Sequence, residues 1–197
     1  MTRRGSYAKG VAKREEILAT ALEVIARNGY GRASVRELAD AVGLSQAGLL
    51  HYFSSKEELF AEILRKRDEV DQAAFAEAAS GEHLTALDGF IRIIRHNAEV
   101  PGLVQLYARL SAEATEPDHG AHEFFRERSL AFRELAAGTV REAQQAGELP
   151  QDLDPEHVST MLLALADGLQ TQWLMDPTID MAAHIADFLA LLTRRGR

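Results

Sequence analysis

Apolar positions recur at helical spacing along nearly the whole chain. Arg14, Ile17, Leu18, Ala21, Val24 and Ile25 mark one face of a first helix, which Asn28-Gly29 closes. Ser34-Val35-Arg36-Glu37 has the form of a capping box, in which the Ser oxygen takes an orphan amide and the Glu reaches back. It predicts a short helix from Val35 to Val42, with Val35, Leu38, Ala39 and Val42 on one face and Gly43 at its end. Ser45 caps a third helix running to about Phe53, and Ser55-Lys56-Glu57-Glu58 is a second capping box that opens a helix to about Ala79. Further helices are predicted from Leu84 to Val100, where Pro101-Gly102 ends the pattern, from Leu103 to about Ala114, and from about Gly120 to Ala146. Asp154-Pro155 combines an N-cap with Pro at the first helical position and opens a helix to about Met175; after Pro177 a last helix runs from Asp180 to Arg194. No segment alternates with period two, so the fold class is all-α, without sheet, repeat or low-complexity tract.

The composition is that of a globular protein, with 46% apolar and 26% charged residues in 197. Cysteine is absent, which excludes disulfides, thiolate metal sites and a thiol nucleophile. No run of about 18 apolar residues exists to span a membrane, and no apolar run follows the basic start as an export signal requires. A cytoplasmic location is the expectation. The net charge of −8 argues against a nucleic-acid partner until its distribution is considered. Residues 1–56 hold nine Lys and Arg against five Asp and Glu, whereas residues 57–197 hold thirteen against twenty-five. A basic end on an acidic body suits a protein that meets a polyanion with one face; a solvated basic tail is the plain alternative.

Residues 34–53, SVRELADAVGLSQAGLLHYF, place two short helices around a tight turn at Gly43. Val35, Leu38, Val42, Leu44 and Leu49 supply a miniature core. Gln46, Ala47, Gly48, Leu50 and His51 are left on the outer side of the second helix, small or hydrogen-bonding and none acidic. Such a helix can enter a major groove about 12 Å wide without steric or charge conflict. The stretch ILATALEVIARNGYGRASVRELADAVGLSQAGLLHYFSSKEELF resembles the N-terminal domain of the TetR family of transcriptional regulators: a first helix ending near Gly, a helix-turn-helix with Gly at the turn, an aromatic close, and a Ser-Lys-Glu helix start. The match covers about a quarter of the chain, and its parts stand in order and at the right spacing.

The resemblance implies a helix-turn-helix DNA-binding domain over residues 1–54 and a larger effector-binding and dimerisation domain over 55–197. It places Ser45, Gln46, Ala47 and Gly48 at the start of the recognition helix and Arg36 where a guanine can be reached. Ser34, Tyr52 and Lys56 fall where phosphates are contacted. Gln46 suits a bidentate bond to adenine, or a phosphate bond, and Lys56 suits a phosphate at a helix N-terminus. Leu50 departs from the family pattern, where many members carry a Tyr that binds the backbone. It touches a thymine methyl or packs internally, with Tyr52 or His51 supplying the missing donor. Arg3, Arg4 and Lys9 precede the first predicted helix and are expected to be a solvated tail without DNA.

The partners implied are a pseudo-palindromic double-stranded operator, a second copy of the chain and a small-molecule effector, apolar or a small organic acid; no cofactor and no metal are implied. The last two helices carry stripes that suit a four-helix dimer interface: Val158, Leu162, Leu165 and Leu169 on one, Ile185, Phe188, Leu189 and Leu192 on the other. The alternative is that both stripes face their own core. Candidate effector-pocket residues are Leu103, Leu106, Tyr107, Phe125, Met161 and Trp173, with Arg109 and Gln170 as polar contacts. An enzyme reading rests on His119 and His122, a helical turn apart near Asp118 and Glu123. It lacks HExxH spacing, a phosphate loop and any nucleophile context. A protein-interaction module that no longer binds DNA is opposed by Arg36, Gln46 and Lys56.

Overall fold

The structure, a computed structural model, describes residues 3–79 and 86–194. Its elements are α1 (Arg3–Asn28), a 3-10 turn (Tyr30–Arg32), α2 (Val35–Ala41), α3 (Gln46–Leu50), α4 (Lys56–Ala79), α5 (Ala86–Asn97), α6 (Pro101–Glu113), α7 (His122–Gln145), α8 (Pro155–Met175) and α9 (Met181–Arg194). No strand occurs among the described residues. An N-terminal helix-turn-helix is followed by a larger helical body, as the periodicity and the resemblance predict. The chain forms two compact units, one of Met1–Gln72 with Val100–Glu123 and one of Ala73–Glu99 with Phe124–Arg197.

In the first unit, Ile17, Leu18 and Ile25 of α1 meet Leu38 of α2, Leu49 of α3, and Leu59, Ile63 and Leu64 of α4 as buried core. The helix α6 also belongs here and packs on α1. Its Gly102 is required by that contact: a Cβ would stand 2.3 Å from the Ile25 carbonyl oxygen and 2.8 Å from the Gly29 Cα. Pro101-Gly102, taken from the sequence as the end of a helix, is thus also the start of one, with Pro101 in its first turn.

The second unit packs α5 and α8 on α9. Val140, Val158 and Leu192 form a cluster with Leu149, Leu153, Phe188 and Leu189 around it. Asp154 caps α8 as predicted, accepting from the amides of Glu156 at 2.9 Å and His157 at 3.0 Å. Gln144 is buried and its Nε2 donates to the carbonyls of Pro150 and Leu153, at 2.8 and 2.9 Å, which fixes the loop between α7 and α8.

Two expectations change. The first helix begins at Arg3, so Arg3, Arg4 and Lys9 belong to α1 and do not precede it. Gly5 and Gly10 and the missing apolar stripe hid this extension. Adding turns to an existing helix needs little further stabilisation, and ion pairs from Arg14 to Glu62 (2.9 Å) and from Lys66 to Glu15 (2.8 Å) tie α1 to α4. The Arg3 and Arg4 side chains, and the predicted start at Leu84 together with His83, lie outside the described residues. The second capping box is half-formed. Ser55 Oγ accepts from the Glu58 amide at 3.0 Å, but the Glu58 carboxylate turns to the amide and hydroxyl of Ser54, a pair of donors that the Ser55 amide alone does not match.

Candidate nucleic-acid interface

The first capping box forms in full: Ser34 Oγ accepts from the Glu37 amide at 3.2 Å, and the Glu37 carboxylate accepts from the Ser34 amide at 2.9 Å. The turn that follows is a Schellman motif. Gly43 lies at φ 67°, its amide donates to the Asp40 carbonyl at 3.2 Å, and the Leu44 amide donates to the Ala39 carbonyl at 2.9 Å. Lys13 adds a tie that the sequence reading missed. Its Nζ donates to the Val42 carbonyl at 3.3 Å, satisfying the end of α2 from α1.

Ser45 caps α3 by accepting from the Gly48 amide at 3.0 Å. Gly48 lies so close that a Cβ there would stand 3.2 Å from Ser45 Oγ. The helix is shorter than predicted, ending at Leu50, with bends from His51 to Ser55. Only Leu49 is fully buried on it. Gln46, Ala47 and His51 are exposed, and Gly48, Leu50 and Tyr52 are half-buried. Phe53 is core, with the Arg14 guanidinium 4.9 Å from its ring centroid. Ser34 is exposed, and the Arg36 side chain is 78% exposed, 4.0 Å from Asp40, a surface pair too weak to hold it.

Lys56, at the start of α4, is exposed with its Nζ 5.7 Å from the Phe60 ring centroid. The Ser54 hydroxyl holds the Glu58 carboxyl below the usual glutamate value. The Glu57 carboxyl is also lowered, mainly by its own backbone amide. The segment between α6 and α7 rests on this helix start: a Cβ on Gly120 would lie 3.1 Å from both Ser55 Oγ and Glu57 Cβ. His119 and His122 fold this segment. His119 Nδ1 accepts from the Ala121 amide at 3.2 Å, and His122 Nδ1 bonds the Ala114 carbonyl at 2.8 Å. No group of three or more His, Cys, Asp or Glu among the described residues is placed to hold a metal.

The effector candidates divide between the units. Leu103, Leu106 and Tyr107 are buried on α6 of the first. Arg109 does not point into that core: it is exposed, its guanidinium 5.5 Å from the Tyr30 ring centroid. In the second unit Gln170 and Trp173 are buried, Phe125 is half-buried against Phe124, and Met161 is 49% exposed. Sequence reasoning missed Arg67, which is 4% exposed on α4. The readable signal was its register, three and four residues beyond the buried Leu64 and Ile63. Of the interface candidates, Val158, Leu162, Leu169, Ile185 and Leu192 are buried within the chain itself, while Leu165, Phe188 and Leu189 are half-buried. The exposed apolar side chains of α8 and α9 are instead Met161, Met175 and Leu191.

A fully capped helix, a glycine turn and a second capped helix with exposed Gln46 and Ala47 define a helix-turn-helix DNA-binding regulator. Residues 17–63 match the model of bacterial regulatory proteins of the tetR family, and residues 90–194 match that of the C-terminal region of BetI-type transcriptional repressors. The chain belongs to the TetR family of transcriptional regulators. It is 29% identical over 157 residues to the HTH-type transcriptional regulator UidR of Escherichia coli K12, 79% of each chain. It is 26% identical over 191 residues, 95% of each chain, to the HTH-type transcriptional repressor AcnR of Corynebacterium efficiens. Among solved structures, a transcriptional regulator from Saccharomonospora viridis in complex with choline matches with a TM-score of 0.68 at 26% identity, over 90% of this chain and 95% of that one. No helix among the described residues is long and apolar enough to cross a membrane.

Proposed function

We propose that the chain is a homodimeric, effector-released repressor acting in the cytoplasm. Residues 1–54 read the operator, and 55–197 pair the subunits and bind the effector. The observation that carries this reading is the outer side of α3. Gln46, Ala47 and His51 stand exposed behind a Ser45 cap, on a helix held by its buried Leu49 and by the glycine turn. Ser45, Gln46, Ala47, Gly48, Leu50 and Arg36 take the bases; Ser34, His51, Tyr52 and Lys56 take phosphates. Two copies place their recognition helices about 34–36 Å apart, on successive major grooves of a pseudo-palindromic site.

The pairing surface combines Leu165, Phe188 and Leu189 with the strip Met161, Ala164, Gly168 and Met175 on α8 and with Leu191 on α9. The strip residues and Leu191 are exposed in the single chain. The AcnR name supports repression, and the choline complex of the S. viridis regulator supports a small-molecule effector. Effector binding shifts the population between a DNA-competent and an incompetent form, which requires different affinities for the two. The test is selection of bound fragments from a genomic DNA pool by the purified protein at about 0.15 M salt. Enrichment of an inverted repeat with half-sites one helical turn apart supports the reading; enrichment of none by effector-free protein overturns it.

A further inference from the structure

We propose that Arg67 anchors the effector, and that the group it takes is a neutral carbonyl oxygen on an apolar body. The proposal rests on the effector-released reading above and names the ligand class. Arg67 is 4% exposed, and its Nε and Nη1 have no hydrogen-bond partner. Its Nη2 donates to Asp68 at 3.2 Å, its Nε stands 3.7 Å from Asp71, and its Cζ lies 5.6 Å from the Tyr107 ring centroid. Buried guanidinium donors left without acceptors are strongly destabilising, so a chain that keeps them places an acceptor there. Ile63 and Leu64 precede Arg67 on the same face of α4, and Leu103, Leu106 and Leu110 flank Tyr107 on α6; all are buried. An acceptor in those surroundings arrives on a molecule whose remainder is apolar.

Charge decides between a carboxylate and a neutral oxygen. Two carboxylates already face this one guanidinium, so a third adds repulsion and its own desolvation, whereas a carbonyl completes the fork with no charge to strip of water. The site is also placed to report on DNA binding. Arg67 sits on α4, which begins at Lys56, and Tyr107 on α6, whose Gly102 abuts Gly29 and whose Arg109 lies over Tyr30.

The experiment is calorimetric titration of the full-length protein with octanamide and, as the matched anion, octanoate, on wild type and Arg67→Met. Octanamide is expected to bind wild type at least about ten-fold more tightly than octanoate and Arg67→Met at least about ten-fold more weakly than wild type. In wild type the Arg67 Nε–H resonance is expected to shift on octanamide titration, a readout that survives if Arg67→Met fails to fold. An unmoved resonance, octanamide affinity retained in Arg67→Met, octanoate binding as tightly, or no octanamide binding at all each overturns the proposal; the last is the result if water alone fills the site. Operator binding by ligand-free wild type is measured beside it. Its absence defeats the regulator reading itself, while its presence without an octanamide response defeats only this site.

Discussion

Gln46 and Lys56 are both exposed polar side chains at helix starts, yet they lead to different expectations. Gln46 opens α3, where its amide can pair with a base edge, so Gln46→Ala is expected to lose about 1–3 kcal/mol at particular base pairs and to relax preference there. Equal loss on every sequence removes it from base reading. Lys56 presents a point charge at the start of α4, so Lys56→Ala is expected to weaken all sequences alike and lower the salt slope by about one. An unchanged slope contradicts a phosphate contact. Glu58 makes a third expectation, about stability. Its carboxyl is held below the ordinary value, first by the Ser54 hydroxyl. A depressed folded-state value stabilises the fold above the unfolded value and is lost as pH falls through the folded one. Below about pH 4.3 the wild type should lose stability more steeply than Glu58→Gln in urea titrations; parallel curves sink the assignment.

At the scale of elements, caps and glycines were the legible part and their partners were not. Ser34-Glu37, Gly43 and Asp154-Pro155 sit where the sequence places them because each effect is local: a side chain bonding an amide two or three residues on, or a backbone at positive φ. The extension of α1 to Arg3 and the second role of Gly102 were not legible, because both depend on chain far away in sequence. Gly102 has ordinary helical surroundings in its own segment; only the end of α1 shows that a methyl group does not fit. Gly102→Ala is therefore expected to destabilise by about 1–3 kcal/mol, since the obstructing atoms are backbone. Gly138→Ala, with nothing within 4 Å of the added Cβ, should stabilise α7 by about 0.5–1 kcal/mol. Denaturant midpoints of the two variants check both signs, and similar midpoints refute the close approach of α6 to α1.

For the whole molecule, periodicity located the stripes of α8 and α9 but not the surface each serves, because a period fixes relative angle and not the identity of the neighbour. The same limit separated Arg67 from the candidate site: its register marked it as buried, and only the fold shows Tyr107 beside it. On α8, Val158, Leu162 and Leu169 are used by the chain's own core, and the face left open runs through Met161, Ala164, Gly168 and Met175. That face is apolar or small, in a half of the chain otherwise rich in acidic residues, as a surface must be that meets its own copy closely. Gly168 makes the test clean. Nothing lies within 4 Å of a Cβ built there, so a side chain does not disturb the subunit, and replacing a mid-helix glycine favours the helix by up to about 1 kcal/mol. Gly168→Arg should melt no lower than wild type as an isolated subunit yet place two buried charges at a two-fold contact. Sedimentation should then find a monomer where wild type is a dimer, and operator affinity should fall because one recognition helix reads only a half-site. A Gly168→Arg dimer of undiminished operator affinity moves the pairing surface off this face of α8.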